Sequence, residues 1–236
     1  METQVNLLIS TPLFDVYEQM AFDEQMVRLR PTDLTLRFYR WAEGDAVTFG
    51  YAQFLKEVKQ ALLSEGFVGL KTRRPTGGGI VFHRDDLTFS LVFPSHQKPA
   101  EIYKNLHTFI FRALAENGHK SQVFSQHLPS SAYAPSVENQ ASACFVRPVE
   151  NDLLTEDGHK ILGGAIRRFG ETILYQGSLQ LPNARENAVY KKALISAVRS
   201  FFAVDFRPMA APVEWVEGAR KLAQSQYQTA GWMEKF

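Results

Sequence analysis

The chain has 236 residues, 45% of them apolar and 22% charged, which is enough for one large or two small cores and excludes a disordered chain. Its 26 Lys and Arg against 25 Asp and Glu leave a formal charge of +1, so composition gives no reason to expect nucleic acid or an anionic membrane as a partner. A single cysteine, Cys144, excludes an intrachain disulfide framework and a thiolate zinc cluster.

No apolar run approaches the ~18 residues that a spanning helix needs. Glu2, with no basic cluster ahead of Leu7, Leu8 and Ile9, argues against a signal peptide. The expectation is a cytoplasmic protein, a monomer by default. Asp15 to Leu29 reads as a first helix, with Val16, Met20, Ala21 and Val27 near one face. Leu34, Leu36 and Phe38 alternate with polar residues as a strand, and Val47 to Tyr51 reads as a second. Leu55, Val58, Ala61 and Leu62 form a helical stripe that Gly66 ends. Strands are predicted over Phe67 to Thr72 and Ile80 to Phe93, on either side of a glycine-rich turn. Ile102, Leu106, Phe109, Ile110 and Leu114 define the clearest helix, which opens after Pro99 and closes at Gly118.

Periodicity disappears from His119 to Ala143, a loop long enough to predict a functional role or mobility. Strands resume at Asp152 to Thr155. After a turn at Asp157–Gly158 they continue as Lys160 to Phe169 and Thr172 to Leu181. Two helices close the pattern. Tyr190, Leu194, Val198 and Phe201 mark one, while Trp215, Ala219, Leu222 and Ala223 mark the other more weakly. Strands in hairpin-like runs, without strict strand–helix alternation, predict an α+β fold with a mixed or antiparallel sheet.

Three segments carry candidate chemistry. Arg73 to His83 reads RRPTGGGIVFH. Its three glycines open the backbone N–H groups to a phosphate, carboxylate or thioester oxygen, and the two arginines add positive charge. No GKS or GKT follows, so this is not a P-loop, and the same triplet also fits a hairpin turn with solvated arginines. In DGHKILGGA, Lys160 follows a tight turn and precedes Gly163, Gly164 and Ala165. A lysine there either projects into a cleft or lies solvated at a strand edge. Cys144 lies at the end of the long polar loop. It is either a small buried hydrophobe or a nucleophile, and as a nucleophile it needs a nearby cation, because a free thiol titrates near ~8.5. His83 could position the loop or be satisfied by backbone. No histidine or carboxylate spacing marks a metal site, and no GxSxG marks a serine hydrolase.

Taken in order, MAFDEQM from Met20, RFYRWAEGDAVTFGYAQ from Arg37, RRPTGGGIVFH, and DGHKILGGAIRR followed by ILYQGSL resemble the family of lipoate–protein ligases, octanoyltransferases and biotin–protein ligases. The RRPTGGG loop and the KILGGAIRR strand fit the lipoate/octanoate branch. The resemblance implies one catalytic domain over residues 1–236, with a mixed sheet flanked by helices as in class II aminoacyl-tRNA synthetases. It places Arg73, Arg74, Thr76, Gly77, Gly78, Gly79 and His83 around an acyl chain, and Lys160 at the reacting carbonyl. The run CFVRPVENDL resembles octanoyltransferases that use a loop cysteine, which makes Cys144 the implied nucleophile. Gln176 stands where many relatives carry histidine before the glycine.

The implied activity moves octanoyl or lipoyl from acyl carrier protein, through a cysteine thioester, to a lysine of a lipoyl carrier domain, without a cofactor. An ATP-dependent lipoate–protein ligase working through an adenylate, with ATP and Mg as cofactors, is the alternative reading. A non-catalytic acyl-binding or carrier-docking module is the second alternative.

Overall fold

A computed structural model of the chain describes residues 5–42, 45–126 and 148–236. Eleven strands are described: β1 (Asn6–Ser10), β2 (Leu34–Phe38), β3 (Ala46–Phe49), β4 (Leu70–Arg73), β5 (Val81–His83), β6 (Leu87–Pro94), β7 (Gln122–Val123), β8 (Leu153–Leu154), β9 (Lys160–Phe169), β10 (Thr172–Leu179) and β11 (Arg207–Ala210). The helices are α1 (Val16–Leu29), α2 (Leu55–Ser64), α3 (Pro99–Glu116), α4 (Ala188–Phe202), α5 (Val213–Leu222) and α6 (Ala230–Met233), with a π-turn at Ala223–Tyr227 between the last two. Eight strands form one mixed sheet in the order β11-β1-β2-β6-β10-β9-β8-β7. Its first three strands run parallel, and the remaining pairs are antiparallel. A small second sheet has the order β4-β3-β5.

The two faces of the large sheet follow from the two-residue period of its strands. Phe89, Leu91 and Phe93 of β6 pair with Gly177, Tyr175 and Ile173 of β10, and this face meets α3 and α4 through Ile102, Leu106, Ile110, Leu194 and Val198. Each of these apolar side chains contributes about 1.5–3 kcal/mol on burial. The intervening residues Val92 and Leu174 face α1, whose Met20, Phe22 and Met26 pack there with Ala219 and Tyr227. Asp15 and Glu18 close a capping box at the start of α1, each side chain accepting from the other's backbone N–H. A third core joins Val47, Phe49 and Ile80 of the small sheet to Val58 and Leu62 of α2. The small sheet therefore stands beside α1 over the same face of the large sheet.

Several strands depart from the sequence reading. The predicted strand from Ile80 to Phe93 is two strands in different sheets. The chain turns at Arg84–Asp86 because the Asp86 carboxylate is drawn inside, accepting from the Thr88 and Ser178 hydroxyls at 2.7 and 2.6 Å and pairing with the His83 ring at 2.9 Å. The Leu7–Ile9 run is a strand, β1, held between β2 and β11 in parallel register. Within the predicted long loop, Gln122–Val123 pairs with Leu153–Leu154. Cys144 lies outside the described residues. Among the described residues no helix is long and apolar enough to cross a membrane.

Candidate active site

A cleft opens between the small sheet and the large one. Gly163, Gly164 and Ala165 of β9 and Gln176, Gly177 and Ser178 of β10 form its floor. Met20 and Tyr39 line it with Thr48, Arg74, Val81 and His83 of the small sheet and its loops. Gly164 and Gly177 lack side chains toward Tyr175 and Phe89 on the opposite face, where a Cβ would stand 2.5 and 2.7 Å from those side chains.

The glycine-rich loop is held from within by Arg74. Its guanidinium donates to the Gly77 carbonyl from Nη2 at 2.6 Å, to the Gly79 carbonyl at 2.8 Å and to Thr48 Oγ1 at 3.3 Å. Gly78 has a φ of 90°, a conformation that side-chain-bearing residues rarely adopt. The loop also presses on Gly50, where a Cβ would stand 1.8 Å from the Gly78 carbonyl oxygen. Arg73 points elsewhere. It is fully buried and donates to the carbonyls of Gly50, Tyr51, Gln53, Trp232 and Met233, clasping the C-terminal helix to the start of the loop. Burial lowers its pKa below the ordinary guanidinium value.

Polar networks run beneath the floor. Thr76 donates to Gln176 Oε1 at 2.6 Å, and Gln176 Nε2 donates to Asp23 Oδ2 at 2.7 Å and to the Tyr39 hydroxyl at 3.0 Å. Asp23 also pairs with Arg37 at 2.7 Å and accepts from Ser90, so a buried carboxylate is fully supplied with donors. Burial and the neighbouring Asp23 raise the Tyr39 phenol well above its usual range, keeping it neutral. His83 lines the cleft with Nε2 2.9 Å from Thr48 Oγ1, Nδ1 on Asp86, and Trp41 stacked on its ring. Burial pushes the Asp86 pKa up, but the adjacent imidazole and three hydrogen bonds outweigh it, and the net shift is downward.

Lys160 stands at the cleft's edge. Its Nζ lies 2.7 Å from Asp152 Oδ2, and both side chains are out of solvent. The ammonium arches over Gly163, where an added Cβ would fall 2.4 Å from Lys160 Cε and 2.6 Å from Nζ. Asp152 also accepts from the Val149 N–H at 2.6 Å and from the Tyr103 hydroxyl. Desolvation raises its pKa, against the pull of the Lys160 charge. The site therefore holds a fixed cation against the buried backbone of Gly163, with no side chain between them. Such an arrangement can steady a developing negative charge on a substrate oxygen or lower the pKa of a nearby nucleophile.

The fold thus brings Arg74, His83, Gly163, Gly164 and Ala165 to one cleft, with Lys160 at its edge and Thr76 tied to its floor, and it directs Arg73 away. Sequence reasoning did not assign Asp152, Gln176, Tyr39 or Thr48 to the site. Asp152 carries one signal, its place in the run CFVRPVENDL that begins at Cys144. Among the described residues, no three His, Cys, Asp or Glu side chains are grouped to hold a metal ion.

The family model of the lipoyl protein ligase A/B catalytic domain matches residues 15–198. Octanoyltransferase LipM of Moorella thermoacetica is 32% identical over 224 residues, covering 90% of this chain and 79% of that relative. Octanoyltransferase LipM of Staphylococcus aureus is 33% identical over 180 residues, covering 72% of this chain and 64% of the relative, just under two thirds. Among solved structures, a lipoate-protein ligase A bound with ATP superposes with a TM-score of 0.74 at 21% identity, covering 98% of this chain and 99% of that one. A bipartite lipoate protein ligase from Thermoplasma acidophilum, studied with its E2 lipoyl domain, gives 0.73 at 20% identity over 100% and 98%. At these identities the solved structures share the fold.

Proposed function

Because the chain belongs to the lipoyl protein ligase A/B catalytic-domain family, we propose that it is an acyltransferase of protein lipoylation, moving octanoyl from acyl carrier protein to a lysine of a lipoyl carrier domain through a thioester on Cys144. The observation that carries the reading is the Lys160 ammonium, fixed by Asp152 over Gly163 at the edge of a cleft floored by glycine backbone. The identity to proteins named octanoyltransferase supports transfer over ligation.

The octanoyl chain enters the cleft past Met20 and Val81, each buried methylene contributing about 0.8 kcal/mol. The Cys144 thiolate, stabilised by the Lys160 cation, attacks the thioester carbonyl. A new carbon–sulfur bond forms, the bond to the carrier's sulfur breaks, and the departing thiolate takes up a proton. Backbone N–H groups at the glycine-rich loop stabilise the oxyanion, each such donor typically worth about 3 kcal/mol. The acceptor lysine, having lost a proton to water, then attacks the acyl-enzyme to form the amide and release the Cys144 thiol. Exchange of a thioester for an amide is downhill and needs no ATP.

Intact-protein mass spectrometry after incubation with octanoyl–acyl carrier protein tests this. The expected result is one octanoyl adduct, mapped to Cys144 and absent in Cys144→Ser, formed without nucleotide. ATP–pyrophosphate exchange dependent on lipoate would overturn it in favour of an ATP- and Mg-dependent ligase. Fatty-acid binding with neither activity would overturn it in favour of an acyl-binding module.

A further inference from the structure

Lys160 is a long flexible side chain that must be held still to act, and its holder, Asp152, stands between a short turn at Glu150–Asn151 and the two-residue strand β8. We propose that Tyr103 and His107, one helical turn apart on α3 and outside the cleft, are positioning residues for Lys160. The proposal rests on Lys160 being the working cation of the site. The Tyr103 hydroxyl donates to Asp152 Oδ1 and accepts from the Gly164 N–H at 3.0 Å, so one phenol couples the carboxylate to the strand that carries Lys160. The carboxylate is thereby held by Tyr103 on one oxygen, and by Lys160 and the Val149 N–H on the other.

His107 holds the adjoining residue. Its Nδ1–H donates to the Asn151 carbonyl at 2.8 Å, and its Nε2 accepts from the Tyr175 hydroxyl at 2.9 Å. Asn151 has a φ of 72°, in the left-handed region that asparagine tolerates better than most residues, and His107 holds its carbonyl there. The His107 ring lies against Tyr103, with centroids 3.9 Å apart, and is fully buried. That burial lowers the His107 pKa to about 3, so the ring stays neutral, with one donor and one acceptor, each matched. Filling space on α3 would need only apolar rings here. Burying a phenol and an imidazole costs free energy unless each finds a partner. Two of the partners, the Asp152 carboxylate and the Asn151 carbonyl, lie in the turn that faces Lys160, and a third, the Gly164 N–H, lies on its strand.

The test is a double-mutant cycle with a chemical probe beside it. Tyr103→Phe keeps the ring and removes the hydroxyl. It is expected to lower kcat about tenfold, leave KM for the acyl donor within about twofold, and lose almost nothing further when Asp152→Asn is already present, because coupled residues are non-additive. Equal losses in both backgrounds, or no loss, would overturn the proposal. Independently of any acyl-transfer activity, the rate at which an amine-reactive ester labels Lys160, followed by peptide mass spectrometry, is expected to rise at least fivefold, by about that order, in Tyr103→Phe and in His107→Phe as the ammonium is released from Asp152. Unchanged labelling in both folded variants would overturn the proposal even if the enzyme proved to be a ligase. Altered labelling without octanoyl transfer would uphold it while refuting the transferase reading.

Discussion

The Thr76 hydroxyl donates to Gln176 Oε1 over 2.6 Å and so ties the glycine-rich loop to the floor of the cleft. The same amide donates downward to Asp23 and Tyr39, so a single side chain links the loop, β10 and α1. A glutamine does here, through its bidirectional amide, what a histidine at the same position would have to do with two ring nitrogens. Gln176→Leu keeps the volume but strands the Thr76 donor and removes a donor from a buried carboxylate. The expected cost is about 2–4 kcal/mol, read as a lower urea midpoint with an unchanged slope. Thr76→Val cuts only the upper link and is expected to cost about 1 kcal/mol. Wild-type stability in Gln176→Leu would show that the loop is held by Arg74 alone.

Arg73 and Arg74 are neighbours with separate duties, and their variants are expected to diverge. Arg73 joins residues roughly 160 positions apart, from the start of the glycine-rich loop to Trp232 and Met233. A lysine there cannot reproduce a planar fork of five donors. Arg73→Lys is therefore expected to destabilise the protein by about 2–3 kcal/mol and to speed amide hydrogen exchange first in residues 227–236. Arg74→Lys is expected to leave that segment protected and to raise KM for the acyl donor several-fold by loosening the Gly77 and Gly79 carbonyls. Equal effects of both substitutions on the C-terminal segment would refute the division of labour.

Much of this organisation was legible locally. The 3.6-residue stripe of Ile102, Leu106, Ile110 and Leu114 specifies α3, and the Asp157–Gly158 turn specifies the start of β9. Lys160 stood out because a tight turn precedes it and two glycines follow. What stayed hidden depends on partners distant in sequence. β1 offers only a short apolar run, and it is a strand because parallel neighbours from residues 34 and 207 complete it. The strand alternation of Ile80 to Phe93 runs on through Asp86, and nothing local shows that Ser178 will draw that carboxylate inside. Tyr103 and His107 flank the apolar stripe of α3, and their hydrogen bonds to residues 151 and 152 exist only in the tertiary fold.

His107 gives stability a defined pH dependence. Its pKa is about 3 when folded, against the ordinary value of 6.5. Below pH 6.5 the unfolded chain therefore takes up a proton that the folded protein refuses. Its contribution is fully present above pH ~6.5 and declines by up to about 1.4 kcal/mol per pH unit down to pH ~3. Asp86, held below its ordinary value, acts with the same sign at lower pH, its contribution present above pH ~4 and lost beneath that. Urea unfolding at pH 7 and pH 5 is expected to show wild type losing about 2 kcal/mol more than His107→Phe. Equal losses in the two proteins would mean that the imidazole is protonated in the folded state.

The sharpest test of the cation at the cleft's edge adds a single methyl group. At Gly163 a Cβ would lie 2.4 Å from Lys160 Cε and 2.6 Å from Nζ, well inside contact distance. The obstructed atoms are the end of a flexible side chain, so Gly163→Ala relieves the clash by moving the ammonium away from the backbone and from Asp152, without moving the strand. Stability is expected to fall by no more than about 1–2 kcal/mol, the usual range for a strained small-to-large change. Acyl transfer to Cys144 is expected to fall far more, about 10²-fold, because a reacting group displaced by an ångström forfeits most of its orientation. Lys160→Met should abolish the acyl-enzyme and in addition leave the Asp152 carboxylate buried without its cation, at a cost of about 3–5 kcal/mol. The two variants thus separate position from charge, the first losing rate with the fold nearly intact and the second losing both. Acyl-enzyme formation at the wild-type rate in Gly163→Ala would show that the ammonium works from some other position than the one over this glycine.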